Sequence, residues 1–176
     1  MDDAILITEL NDFIFCPASI YFHKLYGSMD KMIYQSTDQI NGTAAHKNID
    51  EKKYSTKKSV LMATDVFCEK YNLIGKIDIY DIEKRLLRER KKHIKSVYDG
   101  YVFQLYAQYF ALVELNYEVN QLQLYSIDDY KIFEIKRPDQ NPEMLDRFEN
   151  TIYEIRNFDL NSFEQRAYFS LYTRIL

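Results

Sequence analysis

Asp78, Glu89 and Lys91 are the residues of this sequence whose types and spacing could do chemistry. They lie in GKIDIYDIEKRLLRERKKHIK, residues 75–95, which reads as two short extended segments joined by a polar turn. Ile74, Ile77 and Ile79 give the first segment, 73–80, the β-branched content that strands favour. Residues 81–85 (DIEKR) supply the turn, and the second segment runs over 86–94. Alternation along a strand sets Leu87, Glu89 and Lys91 on one face and Arg88, Arg90 and Lys92 on the other. Charges are rarely turned towards a core unless they are paired or at work. Two carboxylates on neighbouring strands can hold Mg²⁺ or Mn²⁺, hard cations that prefer oxygen. Such a metal polarises a phosphoryl oxygen and activates water. Lys91 would orient the water and offset charge on the phosphate. The same residues also fit a solvated ion-pair hairpin, whose exposed pairs contribute little.

The remaining chain must position these groups. Thr8 is expected to cap a short turn through Asp12. Pro17 suits a helix start, and 17–25 reads as a helix with Ile20, Tyr21 and Leu25 on one face. Residues 38–52 read as a second helix, in which Gly42, Ala44 and Ala45 permit close approach and which carries His46. Strands are expected over 60–63 and 66–71, with Cys68 a buried thiol. The helical spacing of Tyr101, Leu105, Phe110 and their neighbours predicts a helix over 98–116. It carries Gln104 and Gln108 four apart on one face. A strand pair, 118–126 and 130–135, then precedes a helix over 143–157 with Leu145, Phe148, Ile152 and Ile155 inward. Alternating helix-like and strand-like stretches predict an α/β domain: a central mixed β-sheet of about five strands flanked by helices.

At 176 residues the chain is expected to form one domain, with an N-terminal helical segment (1–37), a core (38–136) and a C-terminal helical segment (137–176). The net charge of −4 argues against a protein that coats nucleic acid. It leaves room for a nuclease, because Lys84, Arg85, Arg88, Arg90, Lys91, Lys92 and Lys95 concentrate positive charge near the candidate site. Sixteen tyrosines could stack bases, although a tyrosine-rich core is the commoner use. No apolar run reaches the ~20 residues that span a bilayer. The N-terminus lacks a basic signal segment, and two cysteines without C-x-x-C fit a cytoplasmic protein.

The order of these features carries a resemblance. LNDFIFCPASIYFHKLY places a cysteine and proline before an aromatic helix. It is followed by G-x-x-x-H ending at His46, Gly75-x-x-Asp78, Glu89-x-Lys91 and the helix with Gln104. Together, over roughly residues 5 to 160, they resemble the RecB-like exonuclease of the CRISPR spacer-acquisition module, a branch of the PD-(D/E)xK nucleases, in its type V-associated form. The resemblance implies a restriction-endonuclease-like core in which His46, Asp78 and Glu89 bind the divalent metal and Lys91 is the catalytic lysine. Gln104 would open the family's Q-x-x-x-Y motif, whose fifth position here is Gln108 with Tyr109 beside it. Gln104 and Tyr109 would contact DNA. Such proteins trim single-stranded ends of prespacer DNA with the CRISPR integrase complex.

The family also holds a 4Fe–4S cluster on four cysteines. Cys16 matches the first, and the three C-terminal ones are absent, so no intact cluster is expected. The tail from Glu164 ends where the cysteines would stand, which predicts a truncation or a shifted reading frame. Beside the exonuclease stands a second expectation: a non-cleaving subunit that binds DNA ends or docks on the integrase.

Overall fold

The structure, a computed structural model, describes residues 4–21 and 59–160. These form an α/β fold whose mixed sheet has six strands, one more than the sequence predicts. In chain order the elements are β1 (Ile5–Leu6), α1 (Ile7–Phe15), β2 (Val60–Cys68), β3 (Leu73–Asp81), β4 (Leu86–Lys91), α2 (Asp99–Glu114), β5 (Gln121–Ser126), β6 (Ile132–Ile135) and α3 (Pro142–Arg156). A 3₁₀ turn, Pro138–Gln140, connects β6 to α3. The helix expected over 38–52 with His46 and the tail after 160 lie outside the described residues. Among the described residues no helix is long and apolar enough to cross a membrane.

The sheet is organised around β3. One edge of β3 pairs antiparallel with β2 along its length, from Leu73↔Cys68 to Asp81↔Val60. Its other edge is shared. The two-residue β1 pairs parallel with Leu73 and Ile74, and β4 pairs antiparallel with Ile79, Tyr80 and Asp81. Between them lies a gap over residues 75–78 that neither strand's pairing enters. β5 continues the sheet parallel to β4, and β6 closes it antiparallel to β5. The parallel step from β4 to β5 is the crossover that α2 makes possible.

Glycine decides how closely α1 can approach. A Cβ on Gly75 would stand 2.9 Å from the Ile7 Cβ, and one on Gly100 would stand 2.8 Å from the Asn11 Cα. α1 is thereby wedged against both β3 and the first turn of α2. It starts earlier than a Thr8 cap would place it. The buried Glu9 carboxylate accepts the Leu6 N–H at 3.0 Å, satisfying one of the orphan donors at the helix start. Residues 18–21 are helical, as expected after Pro17.

The α2 sequence is apolar nearly all round and is buried to match, with Phe103, Leu105, Tyr106, Ala107, Ala111 and Leu112 at or near zero exposure. It lies over the face of the sheet that carries Leu87, Leu122 and Leu124 in one main core. α3 starts at Pro142 behind an Asn141 cap, whose side-chain oxygen accepts the Met144 N–H. Its Phe148 and Ile152 are buried as expected, while Leu145 and Ile155 are only partly so.

Two strands differ from the sequence reading for physical reasons. β2 is one strand, not two, but it is irregular at Ala63, whose φ is 46°. The pairing rows run to Met62↔Ile79 and resume at Thr64↔Ile77. The parity of burial changes there. Val66, Cys68, Leu73 and Ile77 join the main core on one side of the irregularity, and Leu61 and Tyr80 join it on the other. Met62 and Ile79 instead form a separate cluster with Val60 and Ala63. β4 stops at Lys91 rather than 94, because the backbone beyond it is bonded away: the Ile94 N–H donates to the Ser126 Oγ, and the Asp128 N–H to the Lys92 carbonyl.

Candidate active site

Asp78 sits in the gap on the β3 edge. The β3–β4 rows end at Ile79↔Arg88, and one row further would set Asp78 across from Glu89. At that point Asp78 Oδ2 accepts the Arg90 backbone N–H at 2.8 Å, so a side chain takes the place of a ladder bond. Glu89 and Lys91 project from β4 on the α2 side, as alternation predicts. Lys91 Nζ donates to Glu89 Oε1 at 2.7 Å and to Gln104 Oε1 at 2.5 Å. Gln108 Nε2 donates to Glu89 Oε2 at 2.7 Å. The Tyr101 ring covers the same ammonium at 5.1 Å. Glu89, Gln104 and Gln108 are 6%, 5% and 2% exposed, so this is a buried polar network and not a solvated hairpin.

Burial sets the electrostatics. Desolvation, then the neighbouring Asp78 charge, pushes the Glu89 carboxyl above its ordinary range, against the pull of Lys91 and Gln108. Burial pulls Lys91 down, but attraction to Glu89 and Asp78 outweighs it and leaves the amine above its usual value. Lys91 is therefore an ammonium at neutral pH. It can donate hydrogen bonds and stabilise negative charge, but it is not a resting base.

Gln104 turns its side-chain oxygen to the Lys91 ammonium. Tyr109 packs edge-on against Phe110, and its hydroxyl feels Asp139 and Arg137 on the β6–α3 connection. The residue that reaches the acidic pair from the fifth position of Q-x-x-x-Y is Gln108 itself. Sequence reasoning missed the part of Tyr101, although its position one turn before Gln104 put it on the same face.

The expected basic funnel is dispersed. Arg85 pairs with Glu118 and Lys84 with Asp81 at the far end of the hairpin, about 17 Å of strand from Lys91. Arg88 donates to Gln123 and, with Arg90, lies over the Tyr125 ring on the other face of the sheet. An open groove along β5 and β6, lined by Gln121, Gln123, Glu134 and Lys136, shares no residue with the Asp78–Glu89–Lys91 cluster.

Metal ligands divide in the same way. Asp78 and Glu89 offer hard oxygen donors side by side, while His46 lies outside the described residues. Among the described residues no group of three or more histidines, cysteines or carboxylates could hold a metal ion. Cys16 ends α1 and Cys68 is buried at the end of β2, its thiol pushed up to about 11, chiefly by burial. Two thiols do not supply the four that a 4Fe–4S cluster takes.

The fold is shared with a solved protein. The crystal structure of SSO0001 matches with a TM-score of 0.55 over 87% of this chain and 77% of that one, at 17% sequence identity. At that identity the likeness is one of fold. No family model matches the sequence, and no curated protein matches it.

Proposed function

We propose that this chain is a divalent-metal-dependent DNA exonuclease with a PD-(D/E)xK core, of the RecB-like kind that trims single-stranded prespacer ends in the cytoplasm beside the CRISPR integrase complex. One observation carries the reading: Asp78, Glu89 and Lys91 converge from two adjacent strands at the point where those strands part. The two carboxylates suit Mg²⁺ or Mn²⁺, and a cation there would offset the like charges that push Glu89 up. When bound, the metal would polarise a phosphoryl oxygen. His46 would complete its ligands on the ground of resemblance alone. The chain's own residues supply the rest. The Lys91 ammonium orients water and stabilises charge developing on the phosphate. Gln104 and Gln108 hold Lys91 and Glu89 in place before substrate arrives.

A second reading is favoured by a different feature of the same cluster. Both Glu89 oxygens already have partners, and Lys91 has two acceptors, so the network is satisfied within the chain. That suits a non-cleaving subunit that binds DNA ends or the integrase. Degradation of end-labelled single-stranded DNA with Mg²⁺ or Mn²⁺ separates the two. Metal-dependent loss of label by wild type, absent in Asp78→Ala and Lys91→Ala, supports the exonuclease. A folded wild type that binds the strand without shortening it supports the binding subunit.

A further inference from the structure

The segment between β4 and α2 carries features that the cluster does not use. Lys92, His93 and Lys95 are exposed on it, and Tyr98 at its end is 42% exposed. Ile94 is buried beneath it and its N–H is tied to Ser126, which fixes the segment to the sheet. Phe15, at the end of α1, is 57% exposed. The rings of Phe15 and Tyr98 lie 5.6 Å apart, and those of Tyr98 and Tyr101 also 5.6 Å apart. Tyr101 in turn covers Lys91 at 5.1 Å. A row of three rings thus runs from the surface to the buried ammonium. Single exposed aromatics are ordinary. A contiguous row that ends on a charged cluster, beside the exposed Lys92 and Lys95, is not.

We propose that Phe15, Tyr98 and Tyr101 form a stacking track that receives the unpaired bases of a single-stranded DNA end and delivers its backbone to Lys91. The proposal rests on the nuclease reading for the chemistry at the end of the track. The rings meet edge to face, at interplanar angles of 69° and 81°, so each contact takes at most one face of one ring and leaves the other faces of Phe15 and Tyr98, both exposed, clear of that neighbour. A base can stack on such a face whatever its identity, provided that it is not already paired. The charges complement this: the chain is net negative, yet the segment beside the rings is positive where a phosphate backbone would pass. The track therefore selects single strands over duplex and tolerates sequence.

The test is binding of fluorescently labelled oligo(dT) to the full chain in a metal chelator, which holds cleavage at zero. Phe15→Ala and Tyr98→Ala should each weaken binding about 5- to 150-fold, the range of one lost stacking contact. An abasic strand of equal length should bind weakly to wild type and respond to neither change. The chain has no tryptophan, so Tyr98→Trp provides a single reporter. Oligo(dT), but not the abasic strand, should quench its emission. The track is overturned if wild type does not bind oligo(dT), if it binds the abasic strand equally well, or if both alanine variants bind within about twofold of wild type. Cleavage with Mn²⁺ is read separately. Weakened binding by the variants with no cleavage by wild type would keep the track and sink the nuclease; the reverse pattern would sink the track alone.

Discussion

The Asp78 carboxylate accepts the Arg90 backbone N–H at 2.8 Å, in the place where β3 and β4 stop pairing. This bond explains how two strands can part inside a sheet without leaving a donor unsatisfied. An unpaired buried N–H costs as much as a lost hydrogen bond. The side chain of Asp78 takes over the work of the ladder, and its carboxylate is thereby fixed beside Glu89. The same acidic group supports the backbone and raises the proton affinity of its neighbour.

Asparagine at 78 should separate these two roles. Asp78→Asn keeps an oxygen that can accept the Arg90 N–H and removes the charge. Asp78→Ala removes both, and leaving that donor unmet costs about 1–3 kcal/mol. Denaturant melts should therefore rank wild type close to Asp78→Asn and both above Asp78→Ala. Metal-dependent DNA cleavage should be lost in both variants. An Asp78→Ala protein as stable as Asp78→Asn would show that the bond does not support the strand opening.

Glu89 predicts a pH dependence of stability. Its folded pKa lies above the ordinary value near 4.5, chiefly through burial and then through Asp78. Above that ordinary value the folded chain holds the proton that the unfolded chain has released, so the contribution of Glu89 to stability falls as pH rises towards the folded pKa. The slope is at most about 1.4 kcal/mol per pH unit. Glu89→Gln removes the titration and keeps an oxygen to accept the Lys91 ammonium. Unfolding curves in chelator from pH 4 to 8 should show the variant gaining on wild type with increasing pH. Parallel pH profiles would refute the shift.

The sequence made the Glu-x-Lys face legible because strand alternation is a rigid rule and β4 is regular. Asp78 could be placed near Glu89 for the same reason, once the DIEKR turn was recognised. The faces that α2 presents were harder to read. An apolar helix buried nearly all round gives little to mark its orientation, so Gln104 and Gln108 could be set on one face but not aimed at β4, and Tyr101 could not be told from its neighbours. β2 was read as two pieces because its period of two breaks at Ala63, which is a true feature of the strand misread as a gap. The basic run misled, since charge counts along a sequence do not reveal that Arg88 and Arg90 turn to the other face of the sheet or that Arg85 finds Glu118. The fold class needed only the alternation of helix and strand, whereas the sixth strand is the two-residue β1, too short for any periodicity.

Gly100 and Gly75 test the wedging of α1. A Cβ on Gly100 meets the Asn11 Cα and one on Gly75 meets the Ile7 Cβ, and neither atom moves without its backbone. Alanine gains about 1 kcal/mol of helix propensity over glycine in α2, but overpacking against backbone costs about 1–3 kcal/mol. Gly100→Ala should lower Tm, at about 2–4 °C per kcal/mol of net loss. Gly75→Ala should lower Tm as well, because the Ile7 Cβ is fixed to its backbone and no helix propensity is gained in β3. An unchanged Tm in both variants would contradict the packing of α1 on β3 and α2.

Ala63 is the last test, because it lies between the rows Met62↔Ile79 and Thr64↔Ile77, across from Asp78. Its φ of 46° costs an L-residue about 1–2 kcal/mol. Glycine adopts that conformation freely but loses about 0.4–1 kcal/mol through its looser unfolded state. Ala63→Gly should therefore fall close to wild type in stability. Valine is branched at Cβ and resists positive φ, so Ala63→Val should lose about 1–3 kcal/mol or flatten the irregularity. Where the irregularity flattens, the parity change across residues 62–64 is lost, and Asp78, which lies across from it in β3, would turn from Glu89. Cleavage should then fall in Ala63→Val with Asp78, Glu89 and Lys91 all unaltered. A valine variant with wild-type stability and activity would mean that the irregularity in β2 does not hold Asp78 in place.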